Sequence, residues 1–534
     1  MHISYKKKLE RIYPACRNII GSSIWGKIIS SCSADLKPEV FSDTLLLHTG
    51  NHNIETFLPE LALLEWTIYK ITEGGSISSE VDCIVINPTV HLLQFSWRNL
   101  TSMIHKDKKK AFLKPEPGEE FVLVWRDPKT NKARTCSASD EDLLVLKIMV
   151  DGIKPENAAV TGNLPVGAVD DAIIRAVRKG ILLSPKSRIR RDSGNFPKGK
   201  DIDESFFSSP VFTIQWHITQ ECDYHCKHCY DRSNISSLNL EQAVKILDDM
   251  RVFCRSRYVQ GHVSFSGGNP LLYPEFTELY RAASERGFSI AILGNPAPGE
   301  RIQELISIQR PTHFQVSLEG LKEHNDFIRG SGNFERVVEF LGVLRELKVY
   351  SMVMLTLTKD NIDQVLPLAE MLRGHADFFT FNRLSKVGEG MNLQLPSRED
   401  FMVLLKRYIK AAKGNPIMGL KDNLINILRR QNGIKPFGGC AGYGCGAAFN
   451  FITILPDGEA HACRKFPSPI GNVLKLGIAG VYESEMAGRY RTGSNACRSC
   501  SIRPVCGGCM AVVYSHNLDV FKKLDPYCFK KKSM

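Results

Sequence analysis

Three cysteines lie close together in the sequence, at Cys222, Cys226 and Cys229, directly after an apolar run from Val211 to Ile218. The run predicts a buried strand, so the cysteines occupy the loop that follows it. Three thiolates on one short loop can hold three irons of a four-iron, four-sulfur cluster and leave the fourth iron without a protein ligand. An open coordination position is where metal chemistry takes place. A zinc loop, or three unrelated thiols, is the alternative.

Eight of the 16 cysteines fall in the last hundred residues. They are Cys440, Cys445, Cys463, Cys497, Cys500, Cys506, Cys509 and Cys528. Eight thiolates make two complete four-thiolate sites, and a cytoplasmic chain of this kind favours metal ligation over disulfides. Two zinc knuckles are the alternative, because paired C-x2-C is also zinc chemistry. Between these cysteines, Phe449 to Ala462 predicts a β-hairpin that turns on Asp457-Gly458.

From residue 211 to 382, strand-like runs alternate with helical patterns, which predicts an α/β fold with parallel strands in a partial (β/α)6 barrel. The predicted strands are Val211 to Ile218, His262 to Ser266, Ser289 to Leu293, His313 to Leu318, Ser351 to Thr356 and Phe378 to Asn382. Ligands of such folds bind at the carboxyl ends of the strands. The candidate residues at those ends are Gly267, Gly268, Asn269, Pro270, Gly294, Asn295, Ser317, Asn382 and Arg383.

The C-x3-C-x2-C loop, with the aromatic His228 before its last cysteine, resembles the signature of the radical S-adenosylmethionine (SAM) superfamily. The resemblance implies that the open iron chelates SAM and reductively cleaves it to a 5′-deoxyadenosyl radical. Ser266-Gly-Gly-Asn-Pro270 resembles the family's Gly-Gly-Glu-Pro motif, which binds the methionine amino group, with Asn269 in place of glutamate. Residues 315–330 resemble V-S-L-D-G followed by H-D-x-I-R-G, which implies that Ser317 and Arg329 face the ribose or carboxylate of SAM.

The spacing of the C-terminal cysteines resembles the SPASM domain, a twin auxiliary-cluster module of radical SAM enzymes that modify peptides and proteins. By that resemblance, Cys440, Cys445, Cys463 and Cys509 ligate one auxiliary cluster. Cys497, Cys500, Cys506 and Cys528 ligate the other. The cofactors implied are therefore three [4Fe-4S] clusters and SAM. The family pattern has three residues where Gly507 and Gly508 give two.

The N-terminal two hundred residues carry fewer signals. A strand at Phe121 to Trp125, a hairpin at residues 126–132 and three helical stretches resemble a winged helix-turn-helix, the precursor-recognition element of peptide-modifying enzymes. The domains we expect are a mostly helical region over 1–118, the winged-helix-like element over 119–185, a linker over 186–207, the barrel over 208–400, a helical connection over 401–435 and the SPASM domain over 436–534.

Composition bounds the class of protein. The chain has 534 residues and a net charge of +12, with its basic residues scattered, which favours a solvated surface over a nucleic-acid face. No segment has the ~18 uninterrupted apolar residues of a membrane span, and no signal-peptide core begins the chain, so we expect a cytoplasmic protein.

These features together predict an oxidoreductase that matures a ribosomally made precursor peptide. A deoxyadenosyl radical would abstract hydrogen from a core-peptide residue and form a thioether or other carbon–sulfur bond. The partners expected are the precursor peptide, whose leader binds the N-terminal region, and an electron donor such as flavodoxin or ferredoxin. The motifs also suggest the selenobiotic-type branch of these maturases. The alternatives are a maturase of a folded protein, as in sulfatase activation, and a metal-stapled DNA-binding regulator without turnover.

Overall fold

The computed structural model describes residues 2–32, 37–49, 54–78, 80–104 and 113–530. They divide into two compact units, Met1–Lys186 and Ser187–Met534. Within the described residues, no helix combines the length and the apolar character needed to cross a membrane.

The first unit begins with five helices and continues with a three-stranded antiparallel sheet and three more helices. The helices are α1 His2–Ile12, α2 Pro14–Ile20, α3 Ser22–Ser31, α4 Phe41–His48, α5 Leu58–Glu73, α6 Asp140–Asp151, α7 Pro155–Gly162 and α8 Val166–Lys179. The strands are β1 Val85–Ile86, β2 His91–Arg98, β3 Glu116–Arg126, β4 Ala133–Ser137 and β5 Leu182–Leu183. The sheet order is β2-β3-β4, and β1 pairs with β5.

Strand β3 is the middle strand of its sheet, and its residues 122–126 are buried on both faces. Val122 and Val124 pack among the N-terminal helices, whereas Leu123 and Trp125 pack against α6 and α8. Side chains alternate along a strand, so one apolar run supplies two cores. Strand β3 also spans residue 118, where we expected a domain boundary, so a division at that residue would cut the strand.

The local signals of the winged-helix-like element are confirmed. Ser139 caps α6 in a capping box with Asp142, and Gly180 ends α8 in the left-handed conformation (φ 84°). The predicted hairpin is closed by a hydrogen bond from the Asp127 amide to the Lys132 carbonyl (2.9 Å). Its role as a precursor-recognition element stays a prediction.

The second unit contains the predicted barrel and the C-terminal cysteines. Its strands are β6 Val211–Thr219, β7 Gln260–Gly267, β8 Ser289–Leu293, β9 Phe314–Ser317, β10 Ser351–Leu357, β11 Phe378–Arg383, β12 Phe451–Ile454, β13 Glu459–His461 and β14 Pro469–Asn472. Its helices are α9 Leu240–Arg257, α10 Phe276–Glu285, α11 Gly299–Ile308, α12 Lys322–Arg329, α13 Asn333–Glu346, α14 Val365–Met371, α15 Arg398–Ala412, α16 Ile425–Gln431, α17 Val473–Glu483, α18 Glu485–Thr492 and α19 Met510–Ser515.

The six parallel strands β6 to β11 lie side by side in chain order, which confirms the partial (β/α)6 barrel. The sheet is nevertheless larger than six strands. Strand β12 pairs parallel with β6, and β13 and β14 extend the sheet to nine strands. An open barrel leaves the edge of β6 unpaired, and the predicted hairpin covers that edge.

Residues 187–209, which overlap the predicted linker, are packed into the second unit. Ile189 and Phe207 are buried in its core. The buried Arg191 guanidinium donates hydrogen bonds to the carbonyls of Tyr443 (3.0 Å) and Cys445. The polar residues, glycines and proline of this segment predicted a linker, and in the structure its apolar residues and Arg191 pack it against the cysteine-bearing end of the chain.

Candidate functional site

The loop with Cys222, Cys226 and Cys229 follows β6, as predicted, and its three thiols line one cavity of about 420 Å³. Burial raises the pKa of the Cys222 and Cys226 thiols, Cys229 raises both further, and Cys222 also raises the pKa of Cys226. Partly buried thiols of this kind become thiolates when a cation ligates them. The donor set and the cavity therefore fit the open cluster that the sequence predicts.

The same cavity is lined by residues from the carboxyl ends of several barrel strands. From the predicted candidates these are Gly267, Gly268, Gly294, Asn295, Ser317, Arg329, Asn382 and Arg383. A volume of this size is typical of a small-molecule site. The structure thus gathers most of the residues that were singled out along the sequence around the three thiols.

Gly267 and Gly268 are needed for a close approach between two backbones. A Cβ on Gly267 would lie 2.2 Å from the Thr219 carbonyl oxygen, and one on Gly268 would lie 2.1 Å from that of Glu221. The Gly268 amide donates to the Thr219 carbonyl (2.9 Å). The paired glycines therefore lock the β7 end against the chain that enters the cysteine loop, a role additional to the ligand approach that their sequence suggested.

Asn269 and Pro270 are the predicted SAM residues that do not line the cavity. The Asn269 side chain is buried, and its amide donates to the Asp223 carboxylate (3.1 Å). Asn295 donates to the same oxygen (2.6 Å). The Asn269 amide nitrogen is thus engaged by Asp223, and its Oδ1, the atom that could accept from the methionine amino group, accepts from the Leu271 amide (3.3 Å).

Glu319 connects the cysteine loop to the barrel. Its carboxylate lies 2.8 Å from His228 Nε2, accepts from Arg329 (2.7 Å) and accepts from the Thr356 amide (2.7 Å). Burial alone would raise the pKa of this carboxyl, but His228 and Arg329 outweigh burial and lower the pKa to about 2. Arg329 in turn lies 3.7 Å from Cys226 Sγ. Arg329, predicted to face SAM, is therefore also part of the scaffold of the thiol loop.

The C-terminal cysteines gather in the two sets that the sequence predicted. Cys440, Cys445, Cys463 and Cys509 line one small cavity of about 60 Å³. Burial, together with Cys509 and Cys440, raises the pKa of Cys463 to about 11. In the other set, burial, together with Cys500 and Cys528, raises the pKa of Cys497 to about 11. Burial raises the pKa of Cys506, and the nearby thiols of Cys500, Cys497 and Cys528 contribute in the same direction.

Two glycines separate the sets where they meet in sequence. Gly507 (φ 69°) and Gly508 (φ 67°) are both left-handed, so the chain turns sharply between Cys506 and Cys509. Asn423 then holds the first set together, because its side chain donates to the Gly508 carbonyl (2.6 Å) and accepts from the Cys440 amide (2.7 Å). The two-residue spacing, shorter than in the family pattern, thus still brings Cys509 to Cys440.

Across the described ranges, no three Cys, His, Asp or Glu side chains converge tightly enough to hold a single metal ion. Tetrahedral zinc would place its thiolates around one atom, with Zn–S distances of about 2.3 Å. A four-iron cluster distributes its thiolates over separate irons. Thiolates that ligate a cluster can therefore stand farther apart than thiolates on one zinc ion.

Comparison with known proteins agrees with these sites. The radical SAM superfamily matches residues 216–372, and the SPASM iron–sulfur cluster-binding domain matches residues 445–509. The chain is an enzyme that contains a radical SAM domain followed by a SPASM domain. Cytoplasmic location and the number of clusters stay predictions.

The relatives of this radical SAM enzyme differ in what they make. The chain is 24% identical to the AdoMet-dependent heme synthase of Methanosarcina barkeri, over 59% of this chain and 95% of that protein. It is 26% identical to the mycofactocin maturase MftC of Mycobacterium tuberculosis, over 60% of this chain and 83% of that protein. Streptococcus suis SuiB bound to its precursor peptide SuiA is 16% identical, with a TM-score of 0.50 over 77% of this chain and 96% of SuiB. That likeness concerns the fold alone.

Sequence reasoning missed several residues of the site. Glu319 and Asn325 stand where the family motif of residues 315–330 has aspartate and histidine, and they were not singled out as site residues. Asn325 is nevertheless buried, and its side chain accepts from the Glu319 amide (3.0 Å). Asn423 and the cavity-lining Arg464 carried no sequence signal, because their partners lie far away along the chain.

Proposed function

We propose that this enzyme matures a ribosomally made precursor peptide by abstracting hydrogen from a core-peptide residue. The observation that carries the proposal is the convergence of three motif thiols and the strand-end residues on one open cavity. Two further sets of four thiols adjoin the barrel in the same unit. The proposed ligands are those predicted from the sequence, with SAM in the larger cavity.

A cluster bound by Cys222, Cys226 and Cys229 would supply the electron that cleaves SAM. The chain itself contributes position: Gly267 and Gly268 fix the loop entrance, and Glu319 with Arg329 fixes its far side. Forming a thioether from a C–H and an S–H removes two hydrogens. One leaves as the abstracted atom, and the other leaves as a proton and an electron, for which an auxiliary cluster would be the acceptor. The first electron would come from an external flavodoxin or ferredoxin.

The first unit suits leader recognition by strand addition. Strand β4 is an edge strand of its sheet. The Ala138 amide donates to the Phe121 carbonyl (2.7 Å), so alternation along the ladder directs the Thr135 and Ser137 amides toward the open edge. On the opposite edge, Glu60 accepts from the Ser96 (3.0 Å) and Trp97 amides. In the described residues, the Thr135 and Ser137 amides of β4 therefore donate to no side chain, whereas the Ser96 and Trp97 amides on the β2 edge are engaged.

The comparisons support a peptide substrate over a small molecule. The match to the heme synthase uses 95% of that protein, which leaves little of it to correspond to the rest of this chain. The fold likeness to SuiB covers 77% of this chain, more residues than the second unit holds, so it extends into the first unit. SuiB was solved with its precursor peptide. The proposal includes carbon–sulfur bond formation as the reaction and the selenobiotic-type branch as the subgroup of maturases.

The test uses the full chain and a synthetic precursor peptide, to be sought as the product of a short Cys-rich reading frame beside the gene. Wild type should bind the leader and yield, with SAM and reductant, a product lighter by two hydrogens. Thr135→Pro removes an outward amide without touching the β3 ladder and should weaken leader binding about tenfold. Thr135→Ala, which changes the same side chain but keeps the outward amide, is the control.

Two outcomes would contradict the proposal. Leader binding that is unaffected by Thr135→Pro would remove the strand-addition argument. Binding of duplex DNA by the full chain, steeply weakened by salt and without any binding of the peptide, would favour the regulator instead.

A further inference from the structure

Five cationic side chains line the cavity of about 420 Å³ at the thiol loop, and they differ in whether a carboxylate pairs with them. They are Arg232, Arg329, Arg383, Arg464 and Lys465. Three of them are paired with carboxylates: Arg329 with Glu319 (2.7 Å), Arg383 with Asp525 (2.7 Å) and Arg232 with Glu389 (3.9 Å). These three charges are already compensated within the protein.

Arg464 and Lys465 have no carboxylate within 4.0 Å in the part of the chain that the structure describes. Arg464 donates to the Ser266 hydroxyl (2.9 Å), and Lys465 donates to the Arg383 carbonyl (2.8 Å). Both partners are neutral. Asp231 is acidic and lines the same cavity, but its carboxylate accepts from Gln220 (2.6 Å).

The two cations are held in place by their surroundings. They follow Cys463 directly, and the Ser385 hydroxyl, just beyond β11, donates to the Lys465 carbonyl. The Arg464 guanidinium lies 5.7 Å from the centre of the Tyr230 ring. Lys465 also lines the cavity of the first auxiliary set. Two fixed cations therefore border the space between the thiol loop and the auxiliary set, where a substrate must reach.

SAM does not account for these charges. It carries a sulfonium and an ammonium against one carboxylate, so its net charge is positive, and the residues predicted for its carboxylate and ribose are Ser317 and Arg329. We propose that Arg464 and Lys465 form a subsite for a carboxylate of the substrate. The proposal rests on the proposed function, and it names the substrate class: a peptide that presents an acidic side chain or its C-terminal carboxylate to the cavity. A guanidinium beside an ammonium suits such a group.

The test measures binding of short probes to the full-length, anaerobically reconstituted protein with SAM present, by equilibrium dialysis. N-acetyl-Gly-Asp-amide carries a side-chain carboxylate, N-acetyl-Gly-Asn carries a C-terminal one, and N-acetyl-Gly-Asn-amide carries neither. We expect one acidic probe to bind about tenfold more tightly than the neutral probe, and that probe identifies the source of the carboxylate.

The double variant Arg464→Gln/Lys465→Gln should bring the affinity ratio of acidic to neutral probe close to one. The charge-conserving variant Arg464→Lys/Lys465→Arg should restore most of the preference, and Lys359→Gln, an exposed cation outside the cavity, should leave the ratio unchanged. If the double glutamine variant loses its iron, the affinity ratio of acidic to neutral probe is measured instead for the single variants Arg464→Gln and Lys465→Gln.

Equal affinity for all probes, or no binding of the acidic ones, would overturn the proposal. So would a loss of SAM affinity in the glutamine variants as large as the loss of probe affinity, because the cations would then serve the cofactor. The probes carry no leader, so the result of the Thr135→Pro experiment does not affect this test, and either proposal can fail alone.

Discussion

The thiol loop at residues 222–229 and the C-terminal thiols both gather cysteines into one site, but the loop does so within a short segment and the C-terminal thiols do so across distant segments. The loop brings three thiols together through local sequence and exposes them to a cavity of about 420 Å³. The first C-terminal set brings together segments up to 69 residues apart, from Cys440 to Cys509, around a cavity of about 60 Å³. The open site is therefore suited to admit a ligand, and the small one is suited to enclose a fully ligated cluster.

The two regions also differ in the interactions that hold their cysteines in position. The loop depends on a few side chains of the barrel, above all Glu319 with its three partners. The first auxiliary set depends on backbone turns and on side chains such as Asn423 that bond to main-chain groups. We expect the loop to be sensitive to charge and the auxiliary sets to be sensitive to backbone conformation.

The largest effect should come from removing the three loop thiols together. Cys222→Ala, Cys226→Ala and Cys229→Ala in one chain should abolish 5′-deoxyadenosine formation while about eight of about twelve irons remain, because the other eight cysteines assemble independently. Iron content and deoxyadenosine yield are the measurements. A triple variant that still cleaves SAM at the wild-type rate would show that the radical arises elsewhere.

This contrast also explains which parts of the site could be predicted from the sequence. The loop and the strand ends were predictable because their chemistry is local and follows each apolar run. The pairing of Cys509 with Cys440 came from the family pattern, since no spacing along the chain implies it. Glu319, Arg464 and the packed segment 187–209 were missed because their partners lie on distant elements.

Replacing Glu319 by glutamine should destabilise the protein by roughly 3 kcal/mol at pH 7, because Arg329 stays buried without its carboxylate. Because the pKa of Glu319 is lowered in the fold to about 2, its stabilisation is complete above the unfolded value near 4.3 and is lost as the pH falls toward 2. The gap between wild type and variant should thus be constant from pH 5 to 7 and shrink below about pH 4.

Denaturant unfolding of the metal-free proteins at several pH values measures this gap. Glu389→Gln is the matched control, because it removes a carboxylate 3.9 Å from Arg232 on the same loop but at an exposed position. We expect a change below about 1 kcal/mol there. A Glu319→Gln variant as stable as this control would mean that the barrel does not fix the loop through charge.

A methyl group on Gly508 should disturb the first auxiliary set selectively. Gly508→Ala would be left-handed (φ 67°) and would place its Cβ 2.8 Å from Asp525 Cβ, displacing Cys509. Gly442→Ala has the same conformational cost (φ 83°) but meets nothing within 4 Å. We expect Gly508→Ala to lose up to about four irons, and the control to keep its iron. Equal iron contents would place Cys509 outside the first set.

The smallest effect tests the two amides that share Asp223. If Asn269 itself contacted the methionine ammonium, Asn269→Glu would strengthen SAM binding, as the usual glutamate of the family implies. In the structure, Asn269 donates to the Asp223 carboxylate at 3.1 Å, so a glutamate there would face a like charge. We therefore expect Asn269→Glu to weaken SAM binding several-fold without loss of iron. The double variant Asn269→Glu/Asp223→Asn should recover it, because the amide and carboxylate have exchanged places. Tighter SAM binding by the single variant would show that Asn269 turns toward the cofactor, and the loop would then use side chains as well as thiols to hold its ligand.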